Sequence, residues 1–305
     1  MSLSLRSVVR PLRNNEIAWR YGFNIVPSLN YGIRRRTTLS DAEKSILSRL
    51  NRDGVSLSNV DGLLQDPSSF DSIISGTDAL LENRRSEIEH LRSRARDVMD
   101  VGEKTFNTEL LGNSPPADPS DPFCRFALDP TILNIANAYL RMYARLRYYN
   151  VWYTFSSNTV ARESQLWHFD REDNYILKVF VYLRDVSEGA GPFTYAPETH
   201  RKGALQHRRP QTFSENGVRR STDDQMAAVV PREKWVKATG RKGTIIFADT
   251  RGYHKGGEAR SDDRLMFTCM FTSPASDSRE LLRFDVESDL SNLNAAQKRA
   301  IRPRD

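Results

Sequence analysis

The run Ile176-Leu177-Lys178-Val179-Phe180-Val181-Tyr182-Leu183 is short, rich in β-branched and aromatic side chains, and broken by a single charge. That length and composition read as a β-strand. Working outward, Tyr148–Phe155, Gln165–Phe169, Phe193–Ala196, Thr244–Ala248 and Leu265–Thr272 have the same character and are separated by Gly, Pro, Asp or Ser turns. Upstream of Tyr148 the apolar period is helical instead. Ser40-Asp41-Ala42-Glu43 offers an N-cap with Glu at the third helical position, Ile46, Leu47 and Leu50 follow at helical spacing, and Asp53-Gly54 closes the helix. A second helix is expected from Thr77 or Asp78 to Met99, with Leu80, Leu81, Ile88 and Leu91 as its stripe, and a third from Asp129 to Leu146. Helices first, then short strands, with no βαβ alternation, indicates an α+β chain whose helices pack on an antiparallel barrel or sandwich.

Residues 1–38 carry Pro11, Pro27 and Arg34, Arg35 and Arg36 without clear periodicity and read as an irregular N-terminal arm. Residues 39–275 read as one domain, with a basic insertion at 201–242, and 276–305 as a C-terminal tail. The chain has 305 residues, 38% of them hydrophobic and 10% aromatic, which suits a packed globular core rather than disorder. A formal net charge of +6 favours anionic partners, but there is no helix-turn-helix pattern, finger spacing or aromatic RNA-binding signature, so no nucleic acid is expected. The two cysteines, Cys124 and Cys269, are far apart and read as reduced thiols, buried or semi-buried. The N-terminus lacks the apolar core of a secretory signal, which points to the cytoplasm, with an Arg/Ser-biased mitochondrial presequence as the lesser alternative. No run approaches the ~18 apolar residues of a membrane span, so no membrane partner is expected. The oligomeric state is left open.

With five histidines in the chain, their placement is informative. His168 and Asp170 stand at i and i+2 at the end of an expected strand, so they share a face. His254 arrives 84 residues after Asp170 and can supply a third ligand. Two imidazoles and one carboxylate leave half an octahedron open, the facial arrangement of non-haem Fe(II) oxygenases, with room for a chelating 2-oxo acid and O2. Ten residues after His254, Arg264 opens the apolar strand Leu265-Met266-Phe267-Thr268. A guanidinium is costly to bury there without a partner, and its fork of donors suits the distal carboxylate of 2-oxoglutarate. The plainer alternative is a surface pair with Asp262 or Asp263.

The segments Gln165-Leu166-Trp167-His168-Phe169-Asp170, Tyr175–Val186, Gly191–Arg201 and Gly243–His254, followed by Arg264, resemble the phytanoyl-CoA dioxygenase family in order and spacing over about residues 145–273. The resemblance implies a double-stranded β-helix, a jelly-roll or cupin-like barrel flanked by N-terminal helices, and the use of Fe(II), 2-oxoglutarate and O2. Position by position, it implies that His168, Asp170 and His254 are iron ligands and catalytic residues and that Arg264 binds the co-substrate. An intact carboxylate at Asp170 favours hydroxylation over the halogenation of relatives that have a small residue there. Two positions depart from the pattern: Pro197-Glu198-Thr199-His200 replaces the usual Pro-Gly-Ser-His, and Gly256 stands where a hydroxyl residue often touches the co-substrate. Lys178 is the residue expected to compensate, its alternative being a strand lysine that snorkels to solvent.

His90, His200 and His207 read as surface, loop or structural histidines, and Gly189-Ala190-Gly191-Pro192 as a turn. The insertion at 201–242 is a candidate basic lid over the barrel mouth. The reading that follows is a dioxygenase oxidising an unactivated C–H bond of a small polar or anionic substrate. Two other classes remain as alternatives: a cupin-like protein that binds another divalent metal with the same triad, and a pseudoenzyme that binds an anionic partner.

Overall fold

A computed structural model describes residues 15–34, 38–96, 106–215, 217–276, 278–284 and 289–302. The helices are α1 (Ile25–Arg34), α2 (Asp41–Asp53), the single turn α3 (Val60–Leu63), α4 (Ser68–Asn83), α5 (Arg85–Arg96), α6 (Pro122–Ala127), α7 (Pro130–Leu140), α8 (Asp223–Ala227) and α9 (Ala295–Ala300). The α2 N-terminus forms as expected: the Ser40 hydroxyl accepts from the Glu43 amide at 3.2 Å, and the Glu43 carboxylate accepts from the Ser40 amide at 2.6 Å. Gly54 ends the helix in the left-handed region, at φ 82°.

Three helical expectations are corrected. The helix foreseen over 77–99 is two helices that meet at Arg84; positions 97–99 lie outside the described residues. The helix foreseen to Leu146 stops at Leu140, where Arg141 turns left-handed at φ 57°. Arg145 and Leu146 pair instead with Thr272 and Phe271 in a sheet, and that pairing outweighs their helical spacing. The arm expected to be irregular is helical over Ala18–Arg34, because Pro27 falls in the first turn of α1, where no intrahelical donor is lost. Trp19 from the arm and Leu282, Ala300 and Ile301 from the C-terminal segment join the main apolar core.

The strands are β1 (Val55–Asn59), β2 (Asn107–Glu109), β3 (Arg145–Thr154), β4 (Leu177–Tyr182), β5 (Phe193–Tyr195), β6 (Phe213–Glu215), β7 (Val218–Arg220), β8 (Val236–Lys237), β9 (Thr244–Asp249), β10 (His254–Gly256) and β11 (Arg264–Thr272). A six-stranded sheet runs β1-β9-β4-β11-β3-β2, a three-stranded sheet runs β10-β5-β8, and β6 and β7 form a hairpin. All pairs within them are antiparallel.

Strand alternation explains the two layers. On β4, Leu177, Val179 and Val181 face the helical core together with Val151, Phe247, Phe267 and the apolar side of α7. Phe180 and Tyr182, on the other face, pack with Phe193 and Tyr195 of the smaller sheet. The large sheet is thus apolar on both faces, one under helices and one inside a β-sandwich. The architecture is an α+β jelly roll flanked by helices. No helix among the described residues is long and apolar enough to cross a membrane.

Candidate active site

Trp167–Asp170 does not extend into a regular strand. It makes single antiparallel bridges, Trp167 to Ser221 and His168 to His254. The second bridge is reciprocal, with His168 N donating to His254 O at 3.0 Å and His254 N donating to His168 O at 2.9 Å. Their side chains therefore emerge on one face, with ring centroids 4.4 Å apart. Phe169 and Tyr253, one residue away on each segment, meet edge to face at 5.4 Å on the other side. Asp170 is held by its amide, which donates to Thr250 O at 2.8 Å, and by its carbonyl, which accepts from Arg251 Nη1 at 2.9 Å.

Each imidazole has a fixed tautomer. His168 Nδ1 lies 2.8 Å from Leu166 O, and His254 Nδ1 lies 3.0 Å from Gly252 O. A carbonyl can only accept, so each Nδ1 carries the proton and each Nε2 presents a lone pair. Burial first, and for His168 the neighbouring His254 as well, pushes both imidazoles below their usual pKa, so they stand neutral. One ligand atom from each of His168, Asp170 and His254 falls within 4.8 Å of the others, and His254 Nε2 is 4.0 Å from Asp170 Oδ2. This buried set of two nitrogens and one oxygen fits a first-row divalent ion such as Fe(II). Carbonyls placed like these two are the outer contacts that orient a histidine where it binds a metal.

Lys178, on the barrel face of β4, brings its Nζ to 2.7 Å from Asp170 Oδ2 as an ion pair. Burial opposes ionisation of Asp170, but the Lys178 ammonium beside it holds the carboxyl below its ordinary range. Lys178 is correspondingly raised, its burial outweighed by Asp170. The sequence reading gave Lys178 a place at the co-substrate or a snorkelling role; the structure brings it to the triad carboxylate.

A cavity of about 70 Å³ opens beside the triad, lined by His168, His254, Lys178, Phe180, Arg264 and Met266 among others. Arg264 is 4% exposed and donates from Nη2 to Thr154 Oγ1 at 3.3 Å, while its Nε and Nη1 have no hydrogen-bond partner among the described residues. It does not pair with Asp262 or Asp263. Instead, Asp263 meets Arg92 and Tyr153, and Asp262 accepts from Ser187 and Ser261. Gly256 leaves room beside this guanidinium: a Cβ there would come within 3.5 Å of Arg264 Nη2.

The Phytanoyl-CoA dioxygenase (PhyH) profile matches residues 63–266, two thirds of the chain, and spans all of these residues. The chain belongs to the phytanoyl-CoA dioxygenase family. As a family member it is an Fe(II)- and 2-oxoglutarate-dependent oxygenase. No curated protein matches its sequence. Similar solved structures include AviO1 from Streptomyces viridochromogenes Tue57, at 17% identity over 79% of this chain and 99% of that one, with a TM-score of 0.49. EctD from S. alaskensis, solved with 2-oxoglutarate and 5-hydroxyectoine, is 16% identical over 82% and 90% of the two chains, with a TM-score of 0.48. HygX from Streptomyces hygroscopicus, solved with nickel, 2-oxoglutarate and hygromycin B, is 15% identical over 77% and 88%, with a TM-score of 0.44.

In this phytanoyl-CoA dioxygenase family chain, several residues around the site were not singled out from the sequence. Thr154 holds Arg264 because the β3–β11 register sets the two opposite each other. Asp223, at the start of α8, accepts from Trp167 Nε1 at 2.7 Å and from Lys255 Nζ at 2.6 Å. A carboxylate of the 201–242 insertion thus ties down the residue before the first histidine of the triad and the residue after the last. Behind the Phe169 face, a second cavity of about 290 Å³ is lined by Glu16, Tyr175, Arg201, His207, Arg209 and Arg251 among others. It is larger than the first but contains none of the triad side chains; Arg251 joins the two through the Asp170 carbonyl. His200 is fully buried, with Nε2 3.3 Å from Asn51 O at the end of α2, a structural position as expected.

Proposed function

We propose that His168, Asp170 and His254 hold Fe(II), that Arg264 seats the distal carboxylate of 2-oxoglutarate, and that the protein hydroxylates an unactivated C–H bond of a small polar or anionic molecule. The observation that carries this reading is one cavity lined both by two tautomer-fixed imidazoles and by a guanidinium with two nitrogens unpaired. Iron, when bound with 2-oxoglutarate and O2, supplies the oxidising power that no side chain has. The chain's residues do the rest. The carbonyls of Leu166 and Gly252 keep both imidazoles turned toward the ion, and Lys178 keeps Asp170 ionised. Phe180, Phe193 and Met266 line the same cavity and exclude water. Lys178 remains a secondary cation for the co-substrate, since it lines the cavity with Arg264.

An anionic substrate is supported by the basic insertion at 201–242, which Asp223 ties to Trp167 and Lys255 beside the triad. An intact carboxylate at Asp170 supports hydroxylation, because with three protein ligands and a chelating co-substrate one position remains, and O2 needs it. The binding-only alternatives are not favoured for a chain of this family. The test is an aerobic screen with Fe(II), ascorbate and 2-oxoglutarate against carboxylate, phosphate and neutral metabolites, following succinate. Substrate-stimulated succinate release and a product carrying one atom from ¹⁸O2 are expected. A product halogenated in chloride or bromide buffer, or stimulation confined to neutral apolar substrates, would contradict the reading.

A further inference from the structure

The N-terminal arm is anchored on one side and apolar on the other. Its polar residues turn inward: Trp19 Nε1 donates to Asp173 Oδ1 at 2.6 Å, Arg20 Nη1 donates to Leu140 O at 2.9 Å, and Asn24 Oδ1 accepts from Ala275 N at 3.1 Å. Apart from Trp19, which joins the core, and Tyr31, which packs on Tyr143, its large apolar residues turn outward. On α1, Ile25, Val26, Leu29 and Ile33 fall at helical spacing on one exposed face, and Ile17 and Tyr21 are exposed in the segment before it. Among the described residues, seven of the ten exposed large hydrophobics lie between positions 17 and 33. Ile33 is 80% exposed and Leu29 52%. A contiguous apolar face of this kind marks an interaction site on a protein that otherwise buries its apolar side chains.

Charge indicates what covers it. Residues 1–38 hold seven arginines and one acid, Glu16, so the whole formal net charge of +6 falls there and residues 39–305 are electrically balanced. Glu16 is itself paired with Arg20 at 3.3 Å. In sequence, the arginines flank this face on both sides, and their like charge opposes self-association of two copies. A surface of anionic headgroups over acyl chains meets the apolar face and the charge at once, and a helix with an apolar face and basic surroundings lies in such an interface. We propose that the exposed face of Ile17–Ile33 docks the protein on an anionic lipid membrane surface. The inward contacts fix the docked helix to the oxygenase fold: Asp173 is three residues from Asp170, and Glu16 lines the 290 Å³ cavity. Docking does not depend on the iron or on the substrate.

The test is co-sedimentation of the full-length protein with vesicles of phosphatidylcholine alone or mixed with phosphatidylglycerol, at low and high salt. The wild type is expected to bind the anionic vesicles, to release as salt rises, and to leave the neutral ones. The double variant Leu29→Glu/Ile33→Glu is expected to bind on the order of a hundredfold more weakly, the loss of two inserted apolar side chains, with an unchanged melting temperature because both positions are exposed. Equal binding to both vesicle types, or binding that survives in the double variant, overturns the proposal. So does a wild type that binds no vesicle. In that last case, light scattering that shows a dimer dissociated by the same substitutions identifies a second copy as the occupant.

Discussion

Arg264 is the least compensated charge in the site. A guanidinium 4% exposed, with one hydrogen bond and two unpaired nitrogens, has lost most of its hydration, and burial pulls its pKa down. A carboxylate ligand restores what burial removed. Arg264→Lys keeps the charge and loses the fork, so 2-oxoglutarate affinity, read by calorimetry in the presence of metal, is expected to fall on the order of tenfold or more. Unchanged affinity would move the role to Lys178. The two histidines give a pH dependence. Their folded pKa values lie below the ordinary 6.5, so as pH falls below about 6.5 the unfolded chain takes up protons that the folded chain does not. Metal-free stability therefore declines with acidification through this window. In urea melts at pH 7 and pH 5, the wild type is expected to lose more stability than His168→Asn/His254→Asn; equal losses would show that the imidazoles are not held neutral by the fold.

At the scale of elements, the triad depends on loops held to strands. Asp223 joins the basic insertion to Trp167 and Lys255, which flank the two histidines. Asp223→Ala is expected to weaken Fe(II) binding on the order of tenfold, as loss of an outer contact does, while costing only about 1 kcal/mol in global stability because the carboxylate is partly exposed. A variant with wild-type iron affinity would reduce Asp223 to a surface contact. Gly54 is the matching joint between α2 and β1. Its φ of 82° is unfavourable for any L side chain, and a Cβ there would lie 2.7 Å from His200 Nδ1 and clash with the Tyr195 hydroxyl. Gly54→Ala should cost more than about 2 kcal/mol in urea unfolding. What could be read from the sequence follows from this. His168 and Asp170 share a face by strand alternation, and Arg264 stands out as a charge opening an apolar strand, so each is visible locally. The reciprocal bridge from His168 to His254, the pairing of Lys178 with Asp170 and the choice of Asp223 among several acids of the insertion depend on registers that no local pattern encodes. The α1 helix was hidden by Pro27 and by an apolar face that points away from the core.

For the whole molecule, the large sheet divides the work. One face carries the helical core through Val179, Phe247 and Phe267, and the other leaves a space between sheets in which Lys178, Arg264 and the two histidines gather. The larger apolar cluster lies on the helical side, so the site can hold buried, incompletely paired charges without threatening the fold. It follows that the triad can be altered while the domain stays folded, which makes the central claim directly testable. The measurement is an anaerobic calorimetric titration of apo-protein with Fe(II), for the wild type, His168→Ala and His254→Ala, with circular dichroism to confirm that each variant is folded. About one Fe(II) per chain is predicted for the wild type, with stoichiometric binding lost in both variants; full retention of stoichiometric binding in both would contradict the assignment.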